Sequence, residues 1–239
     1  MTVNYIWEHN GNDTLLYADN FPGAYARGES REAAFKKLEP EIKSFLLWRD
    51  GISVSDPVEA VLVGEYETSS LNVSDADSDA LFETERLPLI LPEYEKLKEY
   101  ALKSAKDFQI LYDSIPDKDA TCLIRRQTFY GERPVTAAEM YEHTKNVNEY
   151  YFNEINVPAS NEPDIFSCRL AGFDQLEKQP DFLKNIVYDG SYGEQWSLRK
   201  VCRRFIWHDR IHAKAMWRMA VQVFGKNCIA NPFYFIKKM

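Results

Sequence analysis

Two of the four histidines stand four residues apart in W-H-D-R-I-H-A-K-A-M-W-R-M, Trp207 to Met219. On a helix, positions i and i+4 share a face with Cβ atoms about 5 to 6 Å apart. Two imidazoles so placed can converge on one ion at about 2.0 to 2.1 Å each. Stepping at about 100° per residue puts His208 and His212 in the middle of an arc with Leu198, Val201, Cys202, Phe205, Met216, Met219 and Val223. Both rings therefore point inward, where an unpaired imidazole costs on the order of 2 kcal/mol. The pair alone admits two readings: a metal site, or two buried histidines bonded to carbonyls or carboxylates. His143 adds a third ring, because Met140, Val147 and Tyr151 place it on the apolar face of its own helix.

Three neutral imidazoles would leave one or more positions open for water, the arrangement of a catalytic rather than a structural metal. Imidazole suits Zn, Ni, Fe and Cu alike, so the ligand type does not choose the ion; zinc or nickel is the first expectation, iron the next. Glu142 and Asp209 adjoin these histidines in sequence, but helical stepping turns both aside. Glu139 is better explained as a helix cap, so no general base is identified. The fourth histidine, His9, lies far away in the chain and is expected to be exposed.

The elements that must position these rings follow from periodicity. V-N-Y-I-W-E-H and T-L-L-Y-A-D-N-F read as strands split by the turn Asn10-Gly11-Asn12-Asp13, with a third strand near Tyr25 and Ala26. Ser30 opens a helix carrying Ala34, Phe35, Leu38, Ile42, Phe45 and Leu46, which Pro40 is expected to kink or split. V-E-A-V-L-V-G-E-Y reads as a buried strand. Residues 69–89, rich in Ser and Asp, read as an acidic linker. Its Asp75-Ala-Asp77-Ser-Asp79 start lacks the Gly and Glu that a calcium loop needs.

Helices dominate afterwards. One starts near Glu93 and stops before Pro116, and C-L-I-R-R-Q-T-F-Y reads as a short extended segment. Thr136-Ala-Ala-Glu139 is a capping box opening a helix to about Ile155. A weaker helix spans Ile165 to Asn185 with a break near Pro180. Ser197 caps a last helix reaching Phe224 and ended by Gly225. The class is α+β: an α/β module over residues 1–68, then a four-helix bundle over 90–239.

A net charge of −8 argues against nucleic-acid binding, and no apolar run approaches the ~18 to 20 residues of a membrane span. The four cysteines form no CxxC and are expected to stay reduced in a cytoplasm; the N-terminus has no signal-peptide pattern. Charge is unevenly spread. Acids outnumber bases roughly two to one up to Asp75, whereas Ser197 to Lys226 holds Asp209 as its one acid. On the last helix Arg199, Lys200, Arg203, Arg204, Arg210, Lys214 and Arg218, with Trp207, Ile211 and Trp217, lie opposite the histidines. That face is either solvated or docked on the acidic first module, which would cover both tryptophans.

Two resemblances extend this reading. F-P-G-A-Y-A-R-G-E-S-R-E-A-A-F, Phe21 to Phe35, resembles the segment by which a HicB-like module turns from its hairpin into its helix, and the likeness covers about residues 3–68. HicB proteins are usually antitoxins that hold a small basic RNase. The resemblance therefore implies a protein partner for this module, although no DNA-binding tail is evident. His143 with His208 and His212, together with P-V-T-A-A-E-M-Y-E-H and W-S-L-R-K-V at Trp196 to Val201, resembles the DinB-like (YfiT-like) metalloproteins over about residues 90–228. Thr144 stands where that family usually has an aliphatic. This resemblance implies a four-helix bundle, often dimeric. Its three histidines would hold a divalent metal for hydrolysis or for transfer from a low-molecular-weight thiol to a small-molecule substrate. The alternative is a non-catalytic protein acting through its first module, with the bundle as scaffold.

Overall fold

The computed structural model describes residues 1–128 and 131–236 and is mixed α+β. β1 (Thr2–Asn10) and β2 (Asp13–Ala18) pair antiparallel around a tight turn, in which Gly11 takes a φ of 56°. β3 (Tyr25–Gly28) adds to β2, α1 (Arg31–Asp50) follows, and β4 (Glu59–Glu67) returns parallel to β1. The sheet order is β3-β2-β1-β4.

α1 runs unbroken through Pro40. The lost backbone bond is outweighed by burial of Ala34, Leu38, Ile42, Phe45, Leu46 and Trp48 along one face. The Ser30 hydroxyl accepts from the Ala33 amide and caps it. β4 corrects the expectation of a buried strand. It is an edge, α1 lies over β2 and β3 instead, and Val61, Leu62 and Val63 remain 41, 41 and 49% exposed. His9 is also corrected: it is buried, stacks on Trp7 at 4.0 Å and meets the Glu65 carboxylate at 3.1 Å across the β1–β4 pairing.

Four helices make the rest: α2 (Leu91–Asp113), α3 (Ala137–Asn153), α4 (Ile165–Leu176) and α5 (Leu198–Phe224). α5 packs on α2 and α3, and α4 packs on the same two. Gly172 of α4 permits the close approach to α3, since a Cβ there would fall 2.2 Å from the Phe152 ring. In C-L-I-R-R-Q-T-F-Y, Gln127–Thr128 forms β5, paired with β6 (Gly131–Glu132); Phe129 and Tyr130 lie outside the described residues. A further short pair, β7 (Tyr188–Asp189) and β8 (Gln195–Trp196), precedes α5.

α5 is the axis of the molecule, with nineteen of its 27 residues buried. One face of the sheet packs on α1 through Val3, Tyr5, Leu16 and Ala26. The other packs on α5 itself, where Ile6, Leu15, Tyr17 and Tyr25 meet Trp207 and Ile211, with Val73, Ala80 and Phe82 closing the cluster. The turn residue Gly23, at φ 94°, touches α5 so closely that a Cβ would fall 2.3 Å from Ile206 Cγ2.

The basic face of α5 is thus docked rather than solvated. Arg203 donates to the Glu85 carboxylate at 2.5 and 3.2 Å and to the Ala80 carbonyl at 3.0 Å. Arg204 and Lys200 donate to the Ser78 and Asp79 carbonyls, each at 2.8 Å, and Lys214 pairs with Glu41 of α1. The stretch from Val73 to Glu85 therefore packs between sheet and helix, supplying carbonyls to buried cations as well as the apolar Val73, Leu81 and Phe82. Among the described residues no helix is long and apolar enough to cross a membrane.

Candidate metal centre

The capping box at Thr136 and the Ser197 cap fix where α3 and α5 start, and hence which residues face each other across them. The Thr136 hydroxyl accepts from the Glu139 amide at 3.1 Å, while the Glu139 carboxylate accepts from the Val135 and Thr136 amides at 2.9 and 3.1 Å. The Val135 amide first, then Arg125 and the Thr136 amide, hold the Glu139 carboxyl down to about 2. At the other end of α3, Tyr151 packs on Phe205 at 5.3 Å and on Trp196 at 5.3 Å. Two turns before Tyr151 on its helix, His143 comes level with His208 and His212.

The structure brings all three predicted rings together. Ring centroids are 5.1 Å apart for His143 and His208, 4.5 Å for His143 and His212, and 4.4 Å for His208 and His212. One nitrogen from each lies within 4.8 Å of the other two, and the group includes no Cys, Asp or Glu. His143 is the most open of the three and His208 is buried.

Among the described residues none of the three rings hydrogen-bonds to a carbonyl or a carboxylate, and His208 Nδ1 is buried without any partner. The alternative of buried histidines satisfied by protein acceptors is therefore not what the fold builds. Burial lowers the pKa of each ring. For His208 and His212 it lowers it well below the ordinary value, with help from the neighbouring imidazoles and, for His212, from Arg27. All three rings are thus neutral near pH 7, the form that has a lone pair to give. Three neutral nitrogens converging without another bond to make are a fit for a borderline-soft divalent ion.

The acids that neighbour the histidines in sequence are engaged elsewhere. Asp209 and Arg169 form a fully buried two-bond pair at 2.5 and 3.1 Å that ties α5 to α4. Glu142 pairs with Lys145 at 3.1 Å. Thr144 satisfies its hydroxyl by donating to the Met140 carbonyl at 2.7 Å.

Sequence reasoning passed over Arg27, which comes from β3. Tyr25 packs edge-on to Trp207 at 6.5 Å, and side chains two apart on a strand share a face, so Arg27 lies on the face of β3 that meets α5, and its charge adds to the lowering of His212. No local pattern marks such a residue; only the docking of sheet on helix does. Compared with protein-family models, with curated proteins and with solved structures, the chain matches none.

Proposed function

We propose that the chain is a metal-dependent enzyme of the DinB-like class, in which His143, His208 and His212 hold a divalent transition metal, zinc or nickel first. The observation that carries this reading is the convergence of three neutral imidazoles within 4.8 Å, free of other hydrogen bonds. When bound, such an ion supplies Lewis acidity and lowers the pKa of a water or thiol presented to it. The chain's own part is to keep the rings neutral by burial, to fix α5 through the Arg169–Asp209 pair, and to keep acids out of the ligand set.

The reaction class is hydrolysis, or S-transfer from a low-molecular-weight thiol, on a small molecule. Pairwise packing of α2 to α5 supports a four-helix bundle, and the order of three strands, helix and strand supports a HicB-like module. Four free cysteines accord with a reducing cytoplasm, and the family likeness carries the expectation of a homodimer.

Metal analysis of the full chain purified without a histidine tag tests the reading. About one equivalent of zinc or nickel is expected, lost in His212→Ala; less than about half an equivalent of any transition metal would sink it. A second reading, a binding protein acting through the first module, is favoured by the exposed edge strand β4, whose open hydrogen-bonding groups and Val61, Leu62 and Val63 invite a partner strand. A pull-down with the full chain that recovers the same partner with and without Val63→Pro would remove that support.

A further inference from the structure

The two edges of the sheet are built differently. β3 is four residues long and largely buried, with α1 and the 3-10 turn Val73–Asp75 packed on it. β4 is nine residues long, pairs only with β1, and has no buried residue. Its outer side therefore carries a row of backbone N–H and C=O groups that no strand among the described residues takes up. Register with β1 sets Leu62 beside Tyr5, on the face that packs on α1, and Val61 beside Asn4, on the opposite face. Pairing then shifts by one residue, so that Gly64 meets Ile6 and Val63 is the extra residue of a bulge. All three aliphatics stand exposed, so the edge is apolar on both faces.

Acids bracket that apolar centre. Glu59 stands before it and Glu65 and Glu67 after it, all exposed. Glu65 meets His9, whereas Glu59 and Glu67 make no ion pair among the described residues. No Lys or Arg occurs anywhere from Gly51 to Glu85, so the neighbouring chain brings no counter-charge. A second copy is a poor occupant. Antiparallel self-pairing centred on Leu62 sets Glu59 against the copy's Glu65, and centring it on Val63 sets Glu59 against the copy's Glu67. Like charges directly opposed destabilise such pairs. For a strand with basic ends, the same acids become an attraction.

We propose that the outer edge of β4 docks an extended protein segment whose centre is apolar and whose ends carry Lys or Arg, added to the sheet as a fifth strand. Backbone hydrogen bonds supply the affinity, Val61, Leu62 and Val63 cover the partner's apolar side chains, and Glu59 and Glu67 select its charge. The inference rests on the second reading above, in which the first module binds a partner, and takes nothing from the metal.

The test is fluorescence anisotropy of labelled, capped nonapeptides titrated with the full chain. One has alternating Val and Thr between paired lysines, its twin has glutamates for the lysines, and a third is the lysine peptide with alternate amides N-methylated. The lysine peptide is expected to bind saturably below about 1 mM, and both others about tenfold more weakly or worse. Glu59→Lys/Glu67→Lys, which alters two exposed side chains, should reverse the preference for lysine over glutamate, a change that misfolding cannot imitate. No binding of the lysine peptide, an affinity matched by either of the others, or an unchanged preference in the double variant would overturn the proposal. So would a native dimer in sedimentation that Val63→Pro dissociates, because the edge would then belong to a second copy. Should the peptides fail while a protein captured by the native chain is lost with Val63→Pro, the chemistry assigned here is wrong and the second reading stands. A capture that Val63→Pro leaves intact counts against both.

Discussion

The two flanks of α5 treat their polar residues in opposite ways. On the flank facing the sheet, nearly every buried cation has an acceptor waiting: Arg203 has Glu85, Lys200 has the Asp79 and Gln195 carbonyls, and Arg204 has the Ser78 carbonyl. On the flank facing α3, the rings of His208 and His212 meet each other, His143 and, at 6.1 Å from His208, the Tyr151 ring, with no hydrogen-bond acceptor among the described residues. A buried polar group without a partner costs about 1 to 3 kcal/mol. Single orphaned atoms occur on both flanks, such as Tyr17 Oη, Trp207 Nε1 and Arg210 Nη1, but only on the α3 flank do three rings with lone pairs to give converge.

That contrast can be broken most sharply at His208. Leucine there fills a similar volume and removes the orphaned Nδ1. His208→Leu should lower zinc affinity by more than about 100-fold, the upper end for groups that merely support a ligand. The stability of the metal-free chain should be unchanged or slightly raised. Competition with a chromophoric chelator, alongside urea unfolding of the metal-free form, reads both; a marked loss of apo stability would make His208 a structural residue like those on the other flank.

Arg203→Ala is the mirror experiment. It strands Glu85 in a buried site and removes a guanidinium seated 4.0 Å from the Phe82 ring and 4.8 Å from Tyr17. A loss of about 3 to 5 kcal/mol is expected in urea unfolding of the metal-free chain, with zinc stoichiometry of the folded fraction unaltered.

Glu8 is an exception on the sheet side: it is buried and makes no ion pair among the described residues. Burial raises its pKa to about 7, while Ser78, Arg203 and Arg204 pull the other way. Below about pH 4.5 the folded and unfolded chains both hold this proton. Between there and pH 7 the unfolded chain releases it while the folded chain keeps it, so this group's contribution to stability falls as pH rises and then levels off. Glu8→Gln removes that fall. Relative to the native chain it should gain up to about 3 kcal/mol between pH 4 and pH 8, read from urea midpoints at the two values. An unchanged difference would mean that Glu8 is ionised in the fold and matched after all.

The smallest effect is at the cap of α3. Thr136→Ala removes one acceptor from the Glu139 amide and should cost about 1 kcal/mol in thermal unfolding, with zinc binding slightly weakened because His143 lies within two turns of that end. Should zinc binding fall as far as in His208→Leu, α3 would be holding its ligand less rigidly than the packing of Tyr151 implies.

Much of this was legible in advance because it is local. Ser197 and Gly225 delimit α5, Thr136 and Glu139 open α3, and the 3.6-residue period alone turned His143, His208 and His212 inward. The same period turned Glu142 and Asp209 away, and their bonds to Lys145 and Arg169 agree. What failed was anything that depended on a neighbour. A-V-L-V reads as buried from its composition, yet it lies at an edge because no strand among the described residues pairs beyond it. His9 reads as exposed, yet β4 pairs beside it and brings Glu65. Ser- and Asp-rich residues 69–89 read as a linker, yet their carbonyls and Glu85 are what the cations of α5 require.

The sequence by itself determined the helices, their ends and the faces their histidines occupy, because hydrogen bonds and side-chain period act within a few residues. Only the tertiary structure decided that the three rings meet, and that the basic face of α5 finds its acceptors in residues 78–85 and in Glu41 of α1. Such contacts are set by which surfaces bury one another, and burial is a property of the whole packed chain rather than of any segment in it.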